Sequence, residues 1–305
     1  MPKGVYQRSA GADLSKRLAA IKTAQTAPLV GKVKESMRLV AAQPAPLVVM
    51  FSGGRDSSAV ALLARDAGIT PILLYCNTGL SSPDAALRVE EVARTLGFRL
   101  VVAYPDVDAE TMWRARGHFP IGSKRGHTYL KQAIQGLRTS PVQCCYQLKE
   151  RPARAALRKL QAGTISWGNR AADSNRRKLA LADFGMVRQP TQRWPMVRIE
   201  PISFWLDRDV QHYLHAELPG FKWESRAETG CECCCTDLGR RDNNLSRLYL
   251  RDRGRFNAAM RTGLGEQILL ANGTKMSVEA ALEECPLVFL RIPRRGRSGA
   301  KKMNG

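Results

Sequence analysis

Acidic side chains and histidines are scarce in this chain. Twenty-seven Asp and Glu stand against 48 Lys and Arg, with four His, so the formal charge is +21 at pH 7. His118, His127, His212 and His215 show no metal-ligand spacing, and none is assigned to chemistry. Long apolar runs are missing too. None approaches the roughly 20 residues a membrane-spanning helix needs. Met1-Pro2-Lys3-Gly4-Val5 holds no apolar signal core, so the expectation is a cytoplasmic protein with no membrane partner. Low-complexity blocks and internal repeats are absent. What remains, 305 residues at 44% hydrophobic and 25% charged, suffices for one main domain with a smaller appendage.

The positive charge gathers at the ends. Residues 1–50 carry eight Lys and Arg against Asp13 and Glu35, and the last fifteen hold Arg291, Arg294, Arg295, Arg297, Lys301 and Lys302 with no acid. Such ends meet polyanions, because each neutralised phosphate releases counterions. DNA or RNA contact through the termini is one reading; a solvated tail that keeps the protein soluble is the other. Six of the eight cysteines cluster, as Cys144-Cys145 and as Cys231, Cys233, Cys234 and Cys235. Clustered thiols in a reducing compartment read as metal or cluster ligands before disulfides. An adjacent pair plus Cys231-x-x-Cys234 can hold four thiolates around one centre, which suits zinc and an iron–sulfur cluster equally.

Hydrophobic periodicity predicts an α/β fold. A basic helical extension over 1–46, best at Val30 to Ala42, precedes a strand at Leu47 to Phe51 and a helix at Ser57 to Ala67. Strands follow at Pro71 to Tyr75, Arg99 to Tyr104, Thr164 to Trp167 and Val197 to Ile202. Helices are expected at Pro83 to Leu96, Tyr129 to Leu137, Gln147 to Leu160 and from Asp207, as cap, through His215. This alternation argues for a parallel sheet with crossover helices, a Rossmann-like domain over 47–220. A Cys-rich and helical subdomain over 221–290 (helices at 244–260 and 278–284) and a basic tail over 291–305 complete the expected organisation.

Ser52-Gly53-Gly54-Arg55-Asp56-Ser57-Ser58 joins the first strand to its helix. Glycines let the backbone turn tightly and present N–H groups to an anion, the helix start adds partial positive charge, and the serines add hydroxyls. At the carboxyl end of a parallel strand, this is where a ligand crevice is expected. An ordinary strand-to-helix turn also favours Gly and Ser. The segment lacks the Gly-Lys-Ser/Thr of the Walker loop.

It resembles the PP-loop, SGGxDS, of the N-type ATP pyrophosphatases and sulfonucleotide reductases. Three further segments are similar to one branch. Asn77-Thr78-Gly79 resembles its DTG or NTG turn near the adenosine. Gly168-Asn169-Arg170-Ala171-Ala172-Asp173-Ser174-Asn175-Arg176-Arg177 resembles its GxRxxES segment with a following arginine. Pro201-Ile202-Ser203-Phe204-Trp205-Leu206-Asp207-Arg208-Asp209-Val210 resembles PLxxWTxxDVW. The chain is thereby identified as a member of the phosphoadenosine phosphosulfate (PAPS) reductase family. The resemblance implies a PP-loop domain of the adenine nucleotide alpha-hydrolase type that binds ATP, adenosine phosphosulfate (APS) or PAPS, with Mg as a further cofactor. It implies nucleotide contacts at Ser52, Gly53, Gly54, Arg55, Asp56, Ser57, Ser58, Asn77, Thr78, Gly79, Gly168, Arg170, Asp173, Ser174 and Arg177, with Asp56, Arg170 and Lys149 catalytic. Arginines suit the task, because a guanidinium makes forked hydrogen bonds to phosphate or sulfate oxygens. Trp205, Asp207 and Asp209 read as structural, as an aromatic plug, a helix cap and helix-start electrostatics.

For the thiols, Cys144-Cys145-Tyr146-Gln147-Leu148-Lys149 with Cys231 and Cys234 resembles the [4Fe-4S] pattern of APS reductases, in which Lys149 would lie between cluster and substrate. Cys233 and Cys235 leave pairings with Cys231 open. Members that reduce APS or PAPS to sulfite, with a thioredoxin-type reductant, share a tail ending ECGxH. The nearest echo here is Glu284-Cys285-Pro286-Leu287, with no His after it. Cys285 as nucleophile is the weaker reading and core packing the stronger, since adjacent carboxylates raise a thiol pKa. That departure opens a second function, an ATP-dependent sulfurtransferase acting on DNA or RNA, and a third, a nucleotide-binding accessory protein without turnover.

Anaerobically purified protein should be brown and carry about four irons and matching sulfide per chain, as a cubane cluster requires. Zinc, or no metal, would overturn the cluster expectation.

Overall fold

In a computed structural model the chain is described at residues 11–79, 81, 83–109, 111, 146–223, 246, 249–250, 252–261 and 265–290. Two helices lead, α1 (Gly11–Thr26) and α2 (Leu29–Ala41). Then come β1 (Leu47–Met50), α3 (Arg55–Asp66), β2 (Ile72–Cys76), α4 (Pro83–Leu96) and β3 (Leu100–Ala103). After a π-helical turn (Tyr146–Glu150) follow α5 (Arg151–Lys159), β4 (Thr164–Ser166), α6 (Asn175–Phe184), β5 (Val187–Arg188), β6 (Val197–Ile199) and α7 (Asp207–Glu217).

The six strands form one sheet in the order β3-β2-β1-β4-β6-β5, parallel throughout except for β5, which runs antiparallel at the edge. The strands read as unbroken apolar runs because helices cover both faces. Side chains alternate between the faces. Val49, Phe51 and Leu73 pack with α3, α4 and α7, while Val48, Leu74 and Ile165 pack with Ala153 and Leu157 of α5 on the other side. Strand order reverses at β1, flanked by β2 and β4, and at such a switch point the loops leaving the carboxyl ends part to form a crevice.

The chain divides into two compact units. The first comprises Met1–Cys76, Asp84–Ala103 and Ala153–Thr229, and holds the sheet. The second comprises Asn77–Pro83, Tyr104–Pro152 and Gly230–Gly305. It contains α8 (Arg253–Ala259), α9 (Gly265–Ala271) and α10 (Val278–Glu284), with Phe256, Ile268, Leu282 and Phe289 buried.

Several sequence expectations are corrected here. No element was expected between the strands at 164–167 and 197–202, yet Ser174 caps α6 by accepting the Arg177 N–H at 3.2 Å, and β5 follows. Asp207 is not the cap of its helix. Leu206 holds that position, with Asp209 accepting the Leu206 N–H at 2.7 Å. Asp209 also pairs with buried Lys32 of α2 at 2.6 Å, which fastens the leading helices to the sheet domain. Cys285, expected in a core, is exposed at the end of α10, its Sγ 3.6 Å from Met276 Sδ. Trp205 is the buried plug expected of it, donating from Nε1 to Ser36 Oγ at 3.2 Å. The helix expected at Tyr129 to Leu137 lies outside the described residues.

Tyr213 of α7 donates to Asp66 at 2.5 Å. Burial first, and then this hydrogen bond, hold the phenol protonated well above the ordinary tyrosine range. The native state therefore keeps a proton that the unfolded chain loses near pH 10, so stability falls as pH rises past about 10. Urea unfolding between pH 8 and 11 should show that decline in the wild type and a shallower one in Tyr213→Phe. Parallel profiles would contradict the assignment.

Candidate functional site

The crevice at the switch point is a cleft of ≈ 280 Å³ lined by Met50, Ser52, Gly54, Arg55, Asp56, Ser57, Trp167, Gly168, Asn169, Arg170, Arg177 and Asp207. Its residues leave the carboxyl ends of β1 and β4 and the first turns of α6 and α7. Every one belongs to the first unit.

The β1 side is a turn that only glycine serves well. Gly53 has φ +70°, and a Cβ there would lie 3.1 Å from Val89 Cα. The turn delivers Gly54 as N-cap of α3, and Gly54 offers no side chain to the N–H groups of the first turn. Those groups have no partner within the helix, and they carry the positive end of its dipole. Ser57 Oγ donates to Gly54 O at 3.0 Å and accepts from the Ser52 N–H at 3.3 Å, and the two hydroxyls lie 3.4 Å apart. Ser58 is fully buried, and its Oγ makes no hydrogen bond among the described residues.

The β4 side supplies cations. Arg170 is only 5% exposed, and three carboxylates surround it. Its Nε lies 3.2 Å from Asp56 Oδ1, and its Nη2 lies 2.9 Å from Asp173 Oδ1 and 3.4 Å from Asp207 Oδ1. A buried guanidinium needs such compensation, since desolvating an unpaired charge costs several kcal/mol. Asp173, itself buried, also pairs with Arg177, which is a third exposed. Arg55 reaches Asp207 Oδ1 at 3.3 Å. Three arginines and two carboxylates thus line the cleft, beside an uncapped helix start. Gly168 keeps the two sides close, for a Cβ there would meet the Asp56 carbonyl carbon at 2.8 Å.

Of the residues singled out in the sequence, Ser52, Gly54, Arg55, Asp56, Ser57, Gly168, Arg170 and Arg177 meet in this cleft. Gly53, Ser58, Asp173 and Ser174 support it without lining it. Asn77, Thr78 and Gly79 continue from β2 into the second unit, where the Gly79 N–H donates to Asn77 Oδ1 at 3.0 Å and Thr78 is buried. Lys149 lies exposed on the π-helical turn of that unit. Cys144, Cys145, Cys231, Cys233, Cys234 and Cys235 lie outside the described residues. Among those described, no group of three or more His, Cys, Asp and Glu could hold a metal ion. Sequence reasoning missed Met50, Trp167, Asn169 and Asp207 as lining residues. Asp207 had a signal, an acid at a helix start, but it carried the wrong role.

Residues 46–218 match the family model described as the phosphoadenosine phosphosulfate reductase domain. Among solved structures, the chain is similar to phosphoadenylyl-sulfate (PAPS) reductase from Candida auris in a phosphate complex, at 12% identity and TM-score 0.43, covering 73% of this chain and 98% of that one. It is also similar to Candida glabrata FMN adenylyltransferase with FMN and the ATP analogue AMPCPP, at 10% identity and TM-score 0.40, covering 67% and 64%. No curated protein matches it.

Gly168→Ala should drive the Asp56 backbone away from β4 and destabilise the protein by about 1–3 kcal/mol, as overpacking does. Denaturant titration checks this; an unchanged midpoint would mean the two loops are not held in contact.

Proposed function

The chain belongs to the phosphoadenosine phosphosulfate reductase family, and from that premise we propose that its cleft seats the anionic groups of an adenine nucleotide for sulfur chemistry. One observation carries the reading: the uncapped first turn of α3, with the Ser52 and Ser57 hydroxyls, lines the same cleft as Arg55, Arg170 and Arg177. Backbone N–H groups and a helix dipole bind an anion without a mobile counter-charge. Arginines add forked, charge-assisted hydrogen bonds.

The favoured substrate is a sulfonucleotide, APS or PAPS. Its sulfur–oxygen bond is cleaved with two electrons from a dithiol of the thioredoxin type, releasing sulfite and the nucleotide. Asp56 and Arg170 orient the ligand; a catalytic role for Lys149 rests on the sequence resemblance alone. The proposal includes a [4Fe-4S] cluster on Cys144, Cys145, Cys231 and Cys234, which rests on the sequence pattern alone.

A second reading has its own support. Arg188 and Arg198 are direct cross-strand partners on β5 and β6, a like-charge pairing that Glu200, 3.1 Å from Arg188, offsets by one negative charge against two positive. Burial, and then Arg188 and Arg193, push the Arg198 guanidinium below its ordinary range against the opposing pull of Glu200. With a net charge of +21, this favours a polyanionic acceptor, DNA or RNA, thiolated at the expense of ATP.

Two assays separate the readings. The first predicts sulfite release from APS or PAPS with a thioredoxin-type donor. The second predicts ATP–pyrophosphate exchange and salt-sensitive oligonucleotide binding, and fails if neither occurs. An accessory protein would bind nucleotide and turn over nothing. In either enzyme, Arg177→Ala should weaken nucleotide binding by about 1.5–3 kcal/mol, read by calorimetry. Arg177 is the better probe than Arg170, which is 5% exposed and held by three carboxylates, so that its loss would also disturb the buried charge cluster. Unchanged affinity would count against the cleft as the nucleotide site.

A further inference from the structure

Asp207 has the wrong sign of charge for a residue in an anion cleft. One of its oxygens nevertheless engages two of the three lining arginines, at 3.3 Å from Arg55 Nη2 and 3.4 Å from Arg170 Nη2. Its other oxygen accepts from Gln211 Nε2 at 3.0 Å. The carboxylates around Arg170 differ in freedom. The Asp173 side chain is 5% exposed and the Asp56 side chain 24%, whereas that of Asp207 is 54% exposed. Asp173 is buried between two arginines, whereas Asp207 has an open side toward solvent. Leu206 and Asp209 make the cap of α7 without it. No part of the fold therefore requires the Asp207 carboxylate where it lies.

A carboxylate and a phosphate or sulfate group offer a guanidinium the same paired oxygen acceptors. Resting on the reading that the cleft takes the anionic part of a nucleotide, we infer that Asp207 is a resident competitor for that anion. It holds Arg55 and Arg170 in place, and an anion enters by displacing it. Arg55 and Arg170 then exchange one carboxylate for the ligand's oxygens, and Asp207 turns outward on its solvent side. The device selects by charge. An anion that cannot engage both arginines leaves Asp207 in possession, and a neutral nucleoside never contends with it. Asp207 is thus a specificity-determining residue.

The sign of the predicted effect is the opposite of that for a ligand-holding residue. Calorimetric titration of the full chain in EDTA, with adenosine, AMP and ATP as probes, reads it. Asp207→Asn keeps the shape and removes the charge, so ATP should bind about tenfold more tightly, as expected for deleting one unit charge beside a polyanion. AMP should gain less and adenosine nothing. Asp207→Glu keeps the charge and should match the wild type. Losing an acid from the first turn of α7 lowers helix stability slightly, an effect that cannot tighten binding. Asp207→Ser repeats the test should the Asn variant not fold. Unchanged or weaker ATP binding in the neutral variants overturns the inference, as does equal tightening of adenosine or tightening in Asp207→Glu. If the wild type binds ATP and Arg177→Ala does not, those outcomes sink Asp207's role alone. If no variant and no wild type binds any adenine nucleotide, the cleft reading itself falls and this inference with it.

Discussion

A single buried guanidinium organises the site. Arg170 draws Asp56 from the loop after β1, Asp173 from the turn before α6, and Asp207 from the start of α7. The Asp56 and Asp173 segments are pinned to one cation, because leaving it unpaired out of water would be prohibitive, while α7 is held by its own cap and by Lys32. The cleft is what remains open around this knot. Its shape depends on the strand order, which puts β1 and β4 side by side with their following loops diverging.

The rest of the first unit holds those loops still. Gly53 turns where a side chain would strain, and Gly168 lets β4 pass against Asp56. Beneath them the sheet is packed on both faces with fully buried aliphatic residues. The leading helices belong to this support. Lys32 and Ser36 of α2 reach Asp209 and the Pro201 carbonyl, and Trp205 closes the contact from the other side. The segment that resembles PLxxWTxxDVW therefore acts as a clamp for α2, and Asp207 within it faces the cleft.

Charge balance gives the site its character. A cleft lined by three arginines would collapse or bind any anion if nothing opposed them, and one lined by as many acids would bind none. Two carboxylates against three guanidinia, beside a helix start, leave a modest positive excess that a multiply charged ligand exploits best. The edge hairpin is the contrasting case. There Arg188 and Arg198 face each other with Glu200 as the nearby acid, 3.1 Å from Arg188.

Local pattern alone sufficed for the alternating strands and helices, the glycine turn before α3, the arginines at 170 and 177 and the family to which they belong. These features are written in periodicity and in residues adjacent along the chain, so neighbouring letters carry them. The pairing of β4 with β1, the antiparallel strand β5, the caps of α6 and α7 and the exposure of Cys285 were decided by the tertiary structure. Asp207 shows why. As a letter it is an acid before a helix, suited to capping, and the preference is satisfied equally well by Asp209 two residues on. Which acid caps and which turns to the cleft depends on Lys32, 177 positions from Asp209, and Arg170, 37 positions from Asp207. Long-range electrostatic partners of that kind exist only once the chain has folded.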